Sequence, residues 1–368
     1  MSVPPDSTPE SPLARGSLFK RAALLLVVGG VVFAALVWWG GGTHVLTQIQ
    51  RAHPGWIAAA FVFHYVGFGF RGLRWQWILR AGGAQITPTY ATSLVISGWF
   101  FNSIAPARAG DLLRVAMLRY GDRQDDPVRV GAGVGALVAE RALDLLAILA
   151  LSGFFSLLLV DVALPPWLGL AYGVIAFLLI MVVCGVLIAP RVMQRITARW
   201  ARLQDSKITE LVEQTIVALR AVAARPGRLL GILVMSLLVW LCDAAILWAS
   251  VQALTGNSTF QEAEFVGLTS ALAAAAPVTP GAMGQIEAAY AALLILVGEN
   301  AALAPSIILL SRGISYWLFL PVSGLITVAA GLHRFLPLIA RSRAAASDLV
   351  GRRPPAAATQ PVDKADLP

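Results

Sequence analysis

Runs of apolar residues long enough to cross a lipid bilayer recur along the whole chain and constrain its fold more than any other feature. A transmembrane helix needs about 20 predominantly apolar residues. Six runs approach or exceed this length, at residues 22–39, 56–77, 131–160, 167–189, 229–253 and 304–332. We therefore predict an all-α polytopic membrane protein with six transmembrane spans.

Composition indicates lipid rather than water as the solvent. Hydrophobic residues make up 58% of the 368 residues and charged residues only 13%, against about 25% charged in an average soluble protein. This balance excludes an ordinary soluble enzyme. Basic cytoplasmic loops explain the net charge of +8 without a nucleic-acid partner. Cys184 and Cys242 form no CxxC or metal-ligand pattern, so we predict no disulfide framework, metal site or cofactor.

The basic residues set the expected orientation, because Lys and Arg concentrate in cytoplasmic loops. With the N-terminus inside, the N-terminal tail, segments 71–130 and 190–228 and the C-terminal tail hold 25 of the 28, and the outside loops hold only Arg51. We predict cytoplasmic termini in a bacterial cytoplasmic (inner) membrane. The run at 22–39 is interpreted as a retained span, since it ends in two tryptophans without a signal-peptidase motif.

The domain organisation follows from these spans. We expect disordered cytoplasmic tails at 1–15 and 335–368 and one transmembrane domain at 16–334. Segment 195–222 is less apolar than the spans and has helical periodicity. It predicts an amphipathic helix that lies at the cytoplasmic interface.

Two further apolar stretches, 90–118 and 265–297, are interrupted by clusters of Pro and Gly. Each divides into halves of roughly 12–17 residues, which are shorter than the 20 or so that a bilayer requires. They predict two re-entrant helical hairpins that each enter and leave on one side. For 265–297, two full crossings are the alternative.

The order span, span, hairpin, span occurs twice and predicts two inverted-topology repeats, 16–160 and 161–334. Three crossings in each half place the two hairpins on opposite faces. An offset of 171 residues aligns Trp77, Pro106, Gly110 and Arg141 with Trp248, Pro277, Gly281 and Arg312. Inverted repeats with broken helices near the midplane are typical of secondary transporters.

Polar residues at the hairpins and in the following spans form the candidate substrate-binding site. A charge at the bilayer centre costs about 2.5–3.5 kcal/mol on insertion scales, so such residues normally face a bundle interior or a wet cavity. Half-helix N-termini near 107–110 and 281–284 offer unpaired backbone N–H groups to a phosphate, and a neighbouring guanidinium can add two donors. The candidates are Arg108, Gly110, Asp111, Glu140, Arg141, Asp144, Pro277, Pro280, Gly281, Gly284, Glu287 and Arg312.

A purely structural interpretation of the buried charges competes with the ligand role. Arg141 can pair with Asp144 one helical turn away, and Arg312 can pair with Glu287 or Asp243. Asp144 also shares a helix face with the carboxylate four residues before it. One of these two carboxylates needs a cation or a proton, which leaves proton coupling open.

A group of basic and aromatic residues ends the second run. Arg71, Arg74 and Trp75 are predicted to anchor this span at the cytoplasmic surface. The alternative is a functional one, in which these residues bind lipid headgroups. Arg114 is assigned to the same interface. His64 lies in the middle of the span and is predicted to form a hydrogen bond between helices.

Four blocks carry a resemblance to a known family. They are RGLRW at 71–75, NSIAPARAGD at 102–111 followed by Arg114, ERALD at 140–144 and PVTPGAMGQIE at 277–287. Over about residues 20–335 the chain resembles the lysylphosphatidylglycerol synthase transmembrane-region family, also called flippase-like. Asp111 departs from this pattern, where Glu is more usual, but the charge is kept.

The resemblance implies a region that moves lipid between leaflets. In bifunctional members of the family, this region translocates aminoacylated phosphatidylglycerol that a separate soluble domain has made. The roughly 35 residues after the last run are too few for such a domain, so lysyl transfer is not expected of this chain.

The sequence thus predicts a lipid translocase rather than an enzyme, moving an anionic phospholipid or a lipid-linked intermediate. Its expected partners are the bilayer and its substrate lipid, with a homodimer or an association with lipid-synthesis enzymes as candidate assemblies. Two alternatives stay open. One is a membrane-bound transferase that acts on a lipid-linked sugar or phosphate, and the other is a non-transporting scaffold of a lipid or hopanoid biosynthesis complex.

Overall fold

The structure, a computed structural model, describes residues 27, 29–104, 109–120, 130–159, 162, 165–199, 207–256, 259–273 and 279–332. Regular secondary structure in these residues is entirely helical. A 3₁₀ turn at Pro280–Ala282 precedes α11, and a π-helical segment at Gly313–Trp317 joins α12 to α13. The helices are α1 Gly29–Trp39, α2 Thr43–Gln50, α3 Pro54–Ala81, α4 Pro88–Ile104, α5 Ala109–Tyr120, α6 Val130–Leu158, α7 Pro166–Arg199, α8 Lys207–Ala223, α9 Pro226–Thr255, α10 Phe260–Ala273, α11 Gln285–Leu296, α12 Ala304–Arg312 and α13 Phe319–Ala329.

Proline sets where several helices begin. The helices α3, α4, α7 and α9 start at Pro54, Pro88, Pro166 and Pro226. The first turn of a helix does not need the N–H that proline lacks, and its fixed φ suits that position. At the other end of α9, Gly256 adopts a φ of 70°, the left-handed conformation that commonly closes a helix.

Three helical segments in the described residues are long and apolar enough to cross a membrane. They are α3, α9 and the continuous segment Ala304–Ala329, which includes α12 and α13. The pair α1 and α2, bent by 90°, makes a fourth if it counts as one span. The all-helical membrane class is therefore confirmed. The full arrangement of six spans stays a prediction.

The other two expected runs, 131–160 and 167–189, coincide with α6 and α7, which have 29 and 34 residues. Helix α7 continues to Arg199. The beginning of the segment predicted as an amphipathic helix therefore belongs to α7, and the separate helix α8 starts only at Lys207. Helix α8 packs on α6, where the Thr215 hydroxyl donates to the Gly131 carbonyl at 3.3 Å.

Both interrupted stretches fold as pairs of short helices. Helices α4 and α5 have 17 and 12 residues, α10 and α11 have 14 and 12, and the members of each pair pack on each other. The predicted division into short halves is confirmed. Pro106, Arg108 and Pro277 lie outside the described residues, and the re-entrant placement of the hairpins in a membrane stays a prediction.

The order of helices repeats along the chain. Helix α9 begins 172 residues after α3, α10 begins 172 after α4, and α12 begins 174 after α6. These spacings agree with the offset of 171 predicted from single residues. The central contact between the two halves is the packing of α3 along α9.

The first hairpin closes through a glycine that no larger residue can replace without movement. A Cβ at Gly110 would lie 2.1 Å from the Gly98 carbonyl oxygen and 2.7 Å from the Asn102 backbone nitrogen. Both atoms belong to the backbone of α4, so α5 would have to move away.

Gly110→Ala is therefore expected to destabilise the protein by about 1–3 kcal/mol through overpacking, measured as a lower melting temperature in detergent. Gly153→Ala on α6 is the matched control. Its Cβ would meet nothing within 4 Å, so we expect it to be neutral or stabilising. Equal melting temperatures for the two variants would show that this hairpin is not closely packed.

Candidate functional site

A cavity of about 520 Å³ lies between the two halves of the chain. Its wall combines residues from α3, α4, α5 and α6 with residues from α9, α10, α11 and the π-helical segment. Its polar and aromatic lining includes Arg71, Asn102, Asp111, Arg114, Glu140, Arg141, Asp144, Trp240, Asp243, Tyr290, Arg312 and Tyr316. The structure thus brings together many of the residues that the sequence nominated separately.

Arg74 holds two carboxylates of α6 behind the cavity wall. Its Nη1 donates to Asp144 Oδ1 at 2.6 Å and to Ser236 Oγ at 3.1 Å, and its Nη2 donates to Glu140 Oε1 at 3.2 Å. Arg74 is only 1% exposed. It therefore joins α3, α6 and α9 at one buried point.

Arg114 supplies the second cation of the same cluster. Its guanidinium pairs with Glu140 and lies over the ring of Trp75, 3.9 Å from the centroid. Asp144 also accepts a hydrogen bond from the Trp240 indole at 3.0 Å. Because each carboxylate has several charged or polar partners, the burial of both ions is compensated.

Arg141 connects this cluster to the first hairpin. Its guanidinium lies 3.1 Å from Asp111 Oδ2 and 3.2 Å from Asp144 Oδ2. Asp111 accepts a hydrogen bond from Asn102 Nδ2 at 3.0 Å, and Asn102 Oδ1 accepts from the Gly110 N–H at 2.8 Å. The ion pair is thereby fixed to both helices of the hairpin.

Arg312 has the corresponding place at the second hairpin, but its side chain is more deeply buried than that of Arg141. Its Nε donates to Glu287 Oε1 at 2.7 Å, and its guanidinium lies over the ring of Tyr316 at 4.9 Å. Glu287 Oε2 accepts from the Gly284 N–H at 2.7 Å. Gly281 and Gly284 have φ values of 63° and 83°, which glycine adopts without steric cost.

Arg71 and Asp243 form a direct ion pair between the two halves. Arg71 on α3 donates from Nη1 to Asp243 Oδ1 on α9 at 3.0 Å, with a second contact between Nη2 and Oδ2. The Arg71 guanidinium also lies near the rings of Phe68 and Trp240. This pair joins the two helices that form the central contact of the fold.

Charges in the described part of the site balance. Each arginine has a carboxylate partner, so the cavity has no surplus positive charge among these residues. The arginines are Arg71, Arg74, Arg114, Arg141 and Arg312, and the carboxylates are Asp111, Glu140, Asp144, Asp243 and Glu287. The side chain of Arg141 is 39% exposed, against 9% for Arg312 and 17% for Arg71. Arg141 therefore has the most exposed side chain of the five arginines.

Two expectations are corrected, one about surface position and one about unpaired backbone N–H groups. Trp75 and Arg74 do not lie at a surface, because they are 0% and 1% exposed, and Arg114 is also buried. The reason is that this end of α3 packs against α4, α6 and α9. The backbone N–H groups of Gly110 and Gly284 are not unpaired, because side chains at their own hairpins accept from them.

His64 is a third correction. Neither ring nitrogen has a hydrogen-bond partner among the described residues, so the predicted bond between helices is wrong. The ring instead packs edge to face on Phe68 and Phe319, at 5.1 and 4.4 Å between centroids. His64 also contributes to the cavity wall.

Sequence reasoning missed Glu264 and the role of Asp243. Glu264 is fully buried on α10, and neither carboxyl oxygen has a partner among the described residues. It lies one residue before the apolar stretch 265–297, and its burial depends on packing that the local sequence does not show. The partner of Asp243 is 172 positions away on α3, and only an alignment of the two repeats hints at that proximity.

Fold and site together define a helical membrane protein with an ion-paired cavity between two halves of similar helix order. The chain belongs to the lysylphosphatidylglycerol synthase TM region family, which it matches over residues 26–323. The resemblance inferred from the four sequence blocks is confirmed.

Relatives in three archaea are similar over most of the chain. A UPF0104 membrane protein of Pyrococcus horikoshii is 23% identical over 76% of this chain and 88% of its own length. One of Methanocaldococcus jannaschii is 28% identical over 59% of this chain and 88% of its own length. The glycosyltransferase AglD of Haloferax volcanii is 26% identical over 72% of this chain, but over only 48% of its own length.

Proposed function

We propose that this chain moves an anionic phospholipid or a lipid-linked intermediate between the leaflets of its membrane. The observation that carries the proposal is a cavity of about 520 Å³ between the two halves, with the 39% exposed Arg141 in its wall. A guanidinium binds phosphate through two parallel donors. The cavity therefore offers a phosphate group an accessible partner inside the helix bundle.

The balance of charge determines how a headgroup would bind. Asp111 and Asp144 already occupy Arg141, so an incoming phosphate has to replace a carboxylate. Asp111 is the easier one to displace, because Asp144 has additional partners in Arg74 and Trp240. Since Asp111 belongs to the first hairpin, headgroup binding would loosen the hairpin from α6 and couple occupancy to movement.

The membrane arrangement is part of the same proposal. Two inverted repeats with opposed re-entrant hairpins would let the cavity face either leaflet in turn. The repeated helix order supports this arrangement. The excess of basic residues in cytoplasmic segments supports cytoplasmic termini. The bacterial inner membrane is proposed without support from the relatives named above, which are archaeal.

Leaflet exchange in liposomes tests the function. Purified full-length chain is reconstituted into phosphatidylcholine vesicles that contain fluorescent phosphatidylglycerol or a fluorescent polyprenyl phosphate, and the accessibility of outer-leaflet probe to a membrane-impermeant quencher is followed. We expect exchange of at least one anionic probe to be roughly tenfold faster than with the Arg141→Gln variant, as loss of a charged hydrogen bond predicts. Equal rates for protein-containing and empty vesicles with both probes would reject translocation of these lipids.

The similarity to AglD favours one second candidate, a transferase that acts on a lipid-linked sugar or phosphate. The match leaves more than half of that protein uncovered, so its named activity does not carry over by itself. The same vesicles distinguish the two candidates. A transferase would convert a polyprenyl phosphate into a slower-migrating product in the presence of sugar nucleotides, whereas a translocase would move it unchanged.

A further inference from the structure

A second recess, an open groove of about 520 Å³, lies beside the ion-paired cavity, between α6 and α7. Val134, Val138, Ala142 and Leu145 form one face of α6 along it, at the spacing of a helical stripe. Leu178 and Leu179 of α7 face them across the groove. Apart from the Arg141–Asp111 ion pair, the lining is aliphatic, so the groove offers a ligand burial without hydrogen bonds.

The groove and the polar cavity meet at a shared boundary. Asp111, Arg141 and Leu145 line both recesses. The Arg141–Asp111 pair at 3.1 Å therefore separates an apolar space from a charged one. This is the order of a membrane lipid, in which an apolar chain is joined to a charged headgroup.

We propose that the groove between α6 and α7 binds an acyl or polyprenyl chain of the lipid whose headgroup occupies the cavity. This inference rests on the proposed function and adds the route by which the lipid enters from the bilayer. The headgroup passes the Arg141–Asp111 pair, while the chain stays in the groove and is never drawn into the charged cavity. The pair thus acts as the gate between the bilayer and the cavity.

Continuity with the charged cavity favours a lipid over a helix from a second copy. A partner helix would cover the apolar lining but would leave the Arg141–Asp111 pair in the same wall without a function. A lipid uses both parts at once, because its phosphate can take the place of Asp111 beside Arg141. The exposed Leu178, at 55%, also leaves the α7 side of the groove open to surrounding chains.

Photolabelling of the full chain tests the site. The probe is a phosphatidylglycerol with a diazirine in one acyl chain, present at low mole fraction in phosphatidylcholine nanodiscs, and labelled residues are mapped by mass spectrometry. We expect labelling at the groove residues of α6 and α7 to saturate, whereas exposed positions elsewhere, such as Phe154 and Leu157, label in proportion to probe concentration.

Variants define the groove further. Ala142→Trp fills the groove and should lower groove labelling by roughly tenfold, because a few methylene groups of the probe's acyl chain are no longer buried there. The matched control is Leu146→Trp, at a 42% exposed position of the same helix outside the groove lining. If Ala142→Trp fails to fold, Leu178→Asn places an amide in the groove at an exposed position and should reduce labelling in the same way.

A second probe tests whether a lipid needs a phosphate headgroup to bind in the groove. A diazirine-bearing diacylglycerol lacks the phosphate, so its labelling of the groove should be weaker and unaffected by Arg141→Gln, whereas labelling by phosphatidylglycerol should fall in that variant. Even labelling of all lipid-facing positions, unchanged in Ala142→Trp, would overturn the proposal. Crosslinks from groove residues to a second copy would also overturn it and would assign the groove to a subunit interface. Saturable labelling without leaflet exchange would support the lipid site and reject translocation instead.

Discussion

Arg74→Gln is expected to give little or no folded protein. Arg74 is 1% exposed and holds Glu140, Asp144 and Ser236 at 2.6–3.2 Å. Glutamine cannot replace these charged contacts, so two buried carboxylates lose their shared cation. Removing one partner from a buried ion pair costs about 3–5 kcal/mol, which is a large part of the stability of a typical domain. The measurement is the yield of monodisperse protein in size-exclusion chromatography and its melting temperature in detergent.

The control for Arg74 is an arginine of the same chain at an exposed position. Arg220→Gln on α8 removes the same charge at an exposed position, so yield and melting temperature should not change. Arg74→Lys keeps the charge but loses the fork that reaches two carboxylates, and it should fall between the two. A normal melting temperature for Arg74→Gln would mean that the cluster adds nothing to stability.

The helical class was predictable because it depends on local properties. Apolar runs of sufficient length identify helices, and prolines at 54, 88, 166 and 226 mark where four of them begin. The division of 90–118 and 265–297 into short helices followed from Pro and Gly in the same way. Both kinds of signal lie within a few residues of the feature that they predict.

The partners of the buried charges were only partly predictable, because most lie far apart in sequence. The Arg141–Asp144 and Arg312–Glu287 pairs were anticipated as alternatives to a ligand role, the first of them from helical spacing. Arg74 and Glu140 are 66 positions apart, and Arg71 and Asp243 are 172 apart. An arginine near the end of an apolar run has the same local pattern whether it meets lipid headgroups or a buried carboxylate. Only the packing of α3 against α6 and α9 decides between the two.

Arg141 and Arg312 lie 171 residues apart, the offset of the two predicted repeats, yet their environments predict different results on substitution. Both contribute to the cavity wall. Arg312 is 9% exposed and held by Glu287, which favours its structural role. Arg312→Gln should therefore lower the melting temperature, and Arg312→Gln with Glu287→Gln should restore part of it, because the unpaired carboxylate is then removed.

Arg141→Gln should reduce leaflet exchange by roughly tenfold or more, the effect of losing a charged contact with phosphate, while the melting temperature changes little. The partly exposed side chain of Arg141 and the additional partners of Asp144 are the reasons for the small structural effect. The informative double variant is Arg141→Gln with Asp111→Asn. Among the described residues Arg141 is the ion-pair partner of Asp111, and an asparagine can still accept the hydrogen bond from Asn102. Asp144→Asn is less suitable because it also removes the negative charge that pairs with Arg74. If Arg141 binds the headgroup, the double variant stays inactive although its charges balance. Recovery of exchange in the double variant would instead assign Arg141 to neutralising Asp111, and would leave the phosphate to another cation of the cavity.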